Sequence, residues 1–372
     1  MHDGPFTFGA IDAWRIRIPM REPFRISSGE VTEKDAIVIR VWDGDAFGWG
    51  ESSAMPGAFY SADTPDSCEA ALTGSLLPSL TGRSFASVEL LETYLAANVP
   101  SGFVRVAVET AAWELLARSR GVSVRSLLGL PDARIPSGLA IGLYDSLSEL
   151  RAALERYDPR QYKRLKIKIK RGYDVELVRA VRQWYGDIPL FVDANADYTA
   201  ADFAVFEQLD AFHLMMYEQP LGRDALDDSA GLQRRVSTPI CHDESAESLA
   251  MVERAIAIGA CRIVNIKLQR VGGYLPALRI IGACEKAGIP VWMGTMPELG
   301  IGSAQALALA SHAAFQFPTD VEPSDRWYMD DILRPILTLR DGHLELPAGP
   351  GIGFAVDEAK LERYAIRQWR WE

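Results

Sequence analysis

Cysteine is scarce in this chain, with four in 372 residues (Cys68, Cys241, Cys261 and Cys284). None stands in CxxC spacing, which excludes a disulfide scaffold or thiolate zinc site and leaves reduced core residues. Histidine is nearly as scarce: His2, His213, His242, His312 and His343 show no HExxH or other ligand spacing, so any metal is expected on oxygen ligands. No apolar run reaches the ~18 residues of a membrane span, and Met1 to Phe6 lacks a basic stretch leading into an apolar one. A soluble, cytoplasmic protein is the expectation. Positive charge is also in deficit, with 39 Lys and Arg against 50 Asp and Glu and a net charge of −11. That balance repels phosphate backbones and anionic lipid surfaces, and neither nucleic acid nor membrane is expected as a partner.

What is present is globular. Apolar residues make up 48% and charged residues 24%, with 30 Gly and 21 Pro scattered along a chain long enough for a barrel-sized core and a further domain. From Phe6 to about Trp49 the pattern is strand-like, alternating from Ile11 to Pro19 and β-rich over Ala36 to Trp42, with turns at Ser28-Gly29 and Asp43-Gly44. Helical patterns follow near Asp66–Leu77, Ser87–Ala97 and Val104–Arg118, the last with an apolar stripe through Val108, Ala111, Ala112, Leu115 and Leu116. Residues 1–125 thus read as an α+β capping domain.

After Pro136 short apolar runs alternate with amphipathic helices, beginning at Gly138–Leu143 and ending in a pair near Ser303–Phe317. About eight such repeats predict α/β architecture, a TIM-like (β/α)8-type barrel over residues 126–332. Residues 333–372 break the rhythm and are expected to return to the capping domain.

Four of the short strands end in a charged residue: Asp193, Glu218, Asp243 and Lys267, spaced by 25, 25 and 24 residues, about one βα unit each. Strand ends of a barrel converge on one face, so three carboxylates remote in sequence are expected to meet. Such carboxylates repel unless a cation neutralises them, and an all-oxygen site suits Mg²⁺, with Mn²⁺ as a substitute. The alternative, that each acid caps the next helix, explains one such strand end better than three at even spacing. One unit upstream, Leu165, Ile167 and Ile169 share a strand face, which turns Arg164, Lys166, Lys168 and Lys170 to the other. Lysines pointing into a barrel need counter-charges, and the next three strands can supply them. A lysine beside other cations and a metal is expected to have a lowered pKa and to serve as a general base. With Lys168 on strand two and Lys267 on strand six, such an arrangement suits proton removal α to a carboxylate.

Lys166-Ile167-Lys168, Val192-Asp193-Ala194-Asn195, Tyr217-Glu218-Gln219-Pro220, Asp243-Glu244-Ser245 and Val264-Asn265-Ile266-Lys267 resemble the enolase superfamily, muconate-lactonizing-enzyme subgroup. Pro23-Phe24-Arg25, Gly48-Trp49-Gly50-Glu51, Arg270-Val271-Gly272-Gly273 and Ser324-Asp325-Arg326-Trp327-Tyr328 extend the resemblance, over nearly the whole chain, to the o-succinylbenzoate synthase and N-acylamino acid racemase family. The resemblance implies an enolase-type modified barrel, Mg²⁺ on Asp193, Glu218 and Asp243, and Lys168 as general acid/base. It also implies Lys166 as electrostatic partner of Lys168, and Lys267 across the substrate. Asn195 and Gln219 would support these groups. The capping domain would cover the barrel mouth with specificity loops at residues 24–29 and 54–60, which contain Arg25, Met55, Phe59 and Tyr60. A small carboxylate-bearing substrate and a homo-oligomer are expected. Dehydration by a lyase is the leading activity; racemization, dipeptide epimerization and cycloisomerization are alternatives, and a metabolite-binding barrel without catalysis is the alternative from another class.

Two departures from the family pattern bear on substrate. Leu268-Gln269 stands where Pro-Gly is common after the strand-six lysine, and strand seven is followed by Gly294-Thr295-Met296-Pro297-Glu298-Leu299. Met296 and Glu298 are candidate site residues, with helix capping the alternative for Glu298, and Leu299 removes a hydroxyl that could face the substrate. His242 is expected to pack outside the barrel because its neighbour Asp243 faces inward, and Trp49 and Phe59 to be core or loop anchors rather than substrate contacts.

Overall fold

The alternation that begins at Ile11 builds one long strand, Ala10–Ile26, in the computed structural model, which describes residues 4–26, 29–57 and 60–372. His2, Ser28 and Phe59 lie outside the described residues. The strand pairs antiparallel with Gly29–Asp43, which pairs with Ala46–Ser52; on its other side lies Ala365–Trp371, near the chain's end. Helix Gly102–Ser119 crosses this sheet. It is buried all round rather than along one stripe, because the barrel covers the side that the sheet does not. Its Glu109 and Glu114 are fully buried as a result.

Seven parallel strands follow in chain order: Leu139–Ile141, Leu165–Lys168, Leu190–Asp193, Tyr217–Glu218, Ile240–His242, Ile263–Ile266 and Val291–Met293. The eighth position, expected as a further strand, is an irregular segment. It bridges strand seven at Val291 and Phe315, and the entry to strand one at Ser137 and Thr319. Asp320 N donates to Met293 O at 2.9 Å and Gly138 N to Thr319 O at 2.9 Å, so the ring closes on both edges. Pro318 has no N–H to give a regular ladder, which accounts for the irregularity.

Strand two divides its faces as alternation demands. Leu165, Ile167 and Ile169 join the apolar layer under the helices, while Arg164, Lys166 and Lys168 are buried on the other face. Lys170 departs from the expectation: the strand stops at Lys168, and Lys170 lies exposed in the turn that bridges to Tyr173. Phe191, Met216, Cys241, Ile263 and Trp292 form a separate apolar cluster, with the Arg164 guanidinium over the Phe191 and Trp292 rings at 4.8 and 5.5 Å. His242 is buried with Nε2 2.9 Å from Ser229 Oγ on helix Leu226–Gln233, so it faces the helices and not the barrel interior. All four cysteines are buried and free. Among the described residues no helix is long and apolar enough to cross a membrane.

Candidate active site

Register brings the charged strand ends level. Lys168 pairs with Asp193 across strands two and three, and Asp193 with Glu218 across strands three and four. Asp243 follows strand five by one residue and Lys267 follows strand six directly. Strands two and six are four positions apart in an eight-position ring, so Lys168 and Lys267 face each other across it. Both line one narrow cleft, with Phe24, Ile26, Met55, Tyr60, Lys166, Asn195, Met296, Asp320 and Trp327 among its walls.

The electrostatics are those of a closely balanced cluster. Lys166 Nζ lies 2.9 Å from Asp193 Oδ2, 2.6 Å from Glu218 Oε2 and 2.8 Å from Asp320 Oδ2. Lys168 Nζ lies 2.5 Å from Asp193 Oδ2 and donates to Asn195 Oδ1 at 2.8 Å. On the far side Lys267 Nζ is 2.9 Å from Asp243 Oδ2 and donates to the Tyr60 hydroxyl at 2.7 Å, while Arg270 Nη1 reaches Asp243 Oδ1 at 2.5 Å. Burial would raise the carboxyl pKa values of Asp193 and Asp243. The adjacent cations, Lys166 and Lys168 for the first and Lys267 and Arg270 for the second, win and hold both well below the carboxylate range. Glu218 goes the other way, raised first by burial and then by Asp193.

The lowered lysine pKa expected from cation crowding is not what this arrangement produces at Lys166 and Lys267. Burial pulls both down, but the carboxylates around them push both above the ordinary lysine value, led by Asp193 at Lys166 and Asp243 at Lys267. Sequence alone counted the neighbouring cations; the fold surrounds each ammonium with more carboxylate than lysine.

The donor set fits a hard divalent cation. Asp193, Glu218 and Asp243 present only oxygens, Asp193 and Asp243 both raise the proton affinity of Glu218, and Glu218 Oε2 accepts no well-directed hydrogen bond. Among the described residues, no three such side chains are drawn into a finished coordination shell, because ammonium and guanidinium groups take up their oxygens.

The remaining predicted residues divide. Asn195 and Tyr60 touch the lysines, and Met296 lines the cleft. Gln219 stands behind, its Oε1 accepting from Asp243 N at 2.9 Å and Ser245 N at 3.1 Å, which fixes the turn that presents Asp243. Arg25 lies outside the cleft, exposed and paired with Glu30 and Asp145. Glu298 turns its carboxylate back to the Thr295 hydroxyl and the Met296 amide in its own loop, so it neither lines the cleft nor accepts from the amides of the helix that follows. Leu299 is fully buried in the core shared by cap and barrel and meets no substrate cleft. Asp320 and Arg270 went unrecognised as site residues. Asp320 follows Lys267 by 53 residues, a few more than two βα units at the strand-end spacing, so continuing that spacing past Lys267 leads only to its neighbourhood.

The pattern of matched sequence decides the family. Residues 149–360 match the model described as enolase C-terminal domain-like, and residues 11–129 that of the mandelate racemase / muconate lactonizing enzyme N-terminal domain. The chain belongs to the enolase superfamily. This superfamily member is similar to an o-succinylbenzoate synthase of Geobacillus kaustophilus, 38% identical over 94% of this chain and 93% of that one. It is also similar to an N-succinylamino acid racemase of Amycolatopsis, 39% identical over 93% of this chain and 94% of its relative. A solved enolase-superfamily structure from Listeria innocua superposes with a TM-score of 0.92 at 34% identity, covering 98% of this chain and 99% of the other.

Proposed function

We propose that the protein catalyses metal-dependent removal of a proton α to a carboxylate, acting as an o-succinylbenzoate synthase. The observation that carries this reading is the placement of Lys168 and Lys267, buried and opposed across one cleft beside three strand-end carboxylates. Asp193, Glu218 and Asp243 would hold Mg²⁺, which supplies positive charge to the substrate carboxylate. Lys168, in its neutral form, takes the α-proton, and Lys166 keeps positive charge beside it. The Lys267 ammonium, oriented by Tyr60 and Asp243, stabilises the developing enediolate. Lys168 then returns its proton to the departing hydroxide, which leaves as water. Asn195 links Lys168 to Glu244 through its amide and fixes the approach of that ammonium.

The same opposed pair favours a second reaction. If Lys267 also exchanges protons, a stereocentre held between the lysines is racemised, as the name of the Amycolatopsis relative implies for that protein. The test is Mg²⁺-loaded protein assayed for dehydration of the o-succinylbenzoate precursor and for α-deuterium incorporation into N-succinylamino acids in D₂O. Lys168→Ala should abolish dehydration; Lys267→Arg should retain much more dehydration than racemization. Activity surviving in Lys168→Ala would reassign the base, and wild-type protein inert in both assays would overturn the reading.

A further inference from the structure

The strand Ala46–Ser52 is an edge of the cap sheet, hydrogen-bonded to Gly29–Asp43 on one side only. An edge strand leaves every second residue's N–H and C=O without a ladder partner, and buried groups of that kind must be paired elsewhere. Here side chains pair them. Trp49 N donates to Glu114 Oε2 at 3.0 Å, and Trp49 O accepts from Gln305 Nε2 at 2.9 Å. Two residues on, Glu51 O accepts from Gln269 Nε2 at 3.0 Å, and Ser53 N donates to Gln269 Oε1 at 2.9 Å. One primary amide thus supplies the donor and acceptor that a neighbouring strand would present. Gln305 and Gln269 both come from the barrel, and both are buried.

Gln269 is the departure noted after the strand-six lysine, where a Pro-Gly pair could offer neither group. It sits two residues beyond Lys267, in the turn of helix Leu268–Val271, whose Arg270 and Val271 amides donate to Lys267 O at 3.0 and 3.1 Å. That turn cannot slide. Gly102, at the start of the long cap helix, lies so close that a Cβ there would stand 1.9 Å from Arg270 O. The cap segment gripped by Gln269 runs on to Met55, which lines the cleft, and to Tyr60, whose hydroxyl accepts from Lys267 Nζ.

We propose that Gln269 is a positioning residue: by acting as a substitute strand for Glu51 and Ser53, it registers residues 53–57 and Tyr60 about Lys267 and thereby aims Lys267 at its face of the substrate. The aiming rests on the proton-transfer reading above; the registering does not. A merely structural contact would slow both faces of the substrate together, whereas this role predicts a selective loss at one.

The test uses the Mg²⁺-loaded full chain with Gln269→Leu, Gln269→Ala and, as a control, Gln305→Leu, which removes the same kind of contact farther from Lys267. Lys267→Ala first identifies which enantiomer of an N-succinylamino acid loses its α-proton on the Lys267 side. In D₂O, both Gln269 variants should slow exchange of that enantiomer roughly three- to tenfold relative to the other, the worth of one or two hydrogen bonds. Gln305→Leu should leave the ratio unchanged. Independently, amide hydrogen exchange measured by mass spectrometry should speed up in the peptide spanning 51–57 in the Gln269 variants. Equal slowing of both enantiomers overturns the aiming role, and unchanged protection of 51–57 overturns the registering role. Wild-type protein that exchanges neither enantiomer would sink the proton-transfer reading instead, and the registering role would then stand or fall on the amide exchange alone.

Discussion

Arg164, Asp320 and Lys166 form a charged column inside the barrel, with Asp320 shared between the guanidinium and the ammonium and Lys166 passing charge on to Asp193 and Glu218. Arg164 is wholly buried beside two aromatic rings, so its charge depends on Asp320. Asp320→Asn should therefore cost on the order of 3 kcal/mol in urea denaturation, the scale of breaking a buried pair. Combining it with Arg164→Met should recover part of the loss; strictly additive effects would show that the two do not act as a pair. At this scale much of the cleft was legible. Lys166, Lys168, Asp193, Glu218, Asp243 and Lys267 announce themselves because each ends or lines an apolar strand. Asp320 escaped because its strand is irregular, and the side on which Glu298 leaves its loop was not legible because a loop has no period.

Two barrel helices lack a capping side chain of their own. Tyr274–Lys286 begins after Gly273 and Gly300–Ala310 after Leu299, and neither residue can accept from the free amides. Asp331 takes Gly300 N at 3.1 Å, and the cap domain supplies the further acceptors. Glu109 takes Tyr274 N at 2.9 Å and Leu275 N at 3.0 Å, and Glu51 takes Leu299 N and Gly302 N, each at 2.8 Å. Gly273, at φ 129°, leaves room for this; a Cβ there would lie 2.4 Å from Glu109 Oε2. Gly273→Ala should thus displace the cap and strain the backbone together, lowering stability by on the order of 2 kcal/mol in a thermal or chemical melt. A neutral result would show that Glu109 does not need that space. The sequence reading placed these helices by their periodicity but could not see their caps, since the capping acids lie about 165 and 250 residues upstream.

At the scale of the molecule, cap and barrel share one apolar core: Ile11, Ile39 and Trp113 from the cap pack in the same cluster as Val264, Ile266 and Met293 of strands six and seven. The seam is also where buried acids sit. Burial raises the carboxyls of Glu51 and Glu109 from 4.5 to about 7, against the lowering effect chiefly of Lys34 on Glu51 and of the Leu275 and Tyr274 amides on Glu109. A carboxyl with its folded pKa above its unfolded value binds more proton when folded. Stability should therefore be fully kept below about pH 4.5 as far as these groups are concerned and fall as pH rises toward 7, by up to about 1.4 kcal/mol per pH unit for each. Denaturation midpoints measured from pH 5 to 7.5 should show this decline, and Glu109→Gln should make it shallower; an unchanged slope in the variant would exclude Glu109 as a contributor.

What the sequence determined by itself is periodic: the alternating cap strands, the repeated strand-helix units, and charged residues recurring about 25 positions apart at strand ends. Those features are local or regularly spaced, and backbone geometry converts them directly into faces and ends. Tertiary structure alone decided the balance of charge around each lysine, the acids that cap helices across the seam, and the clasp of Gln269 on a strand more than 200 residues away. Each depends on which remote groups are brought within hydrogen-bond reach, and no spacing along the chain encodes that.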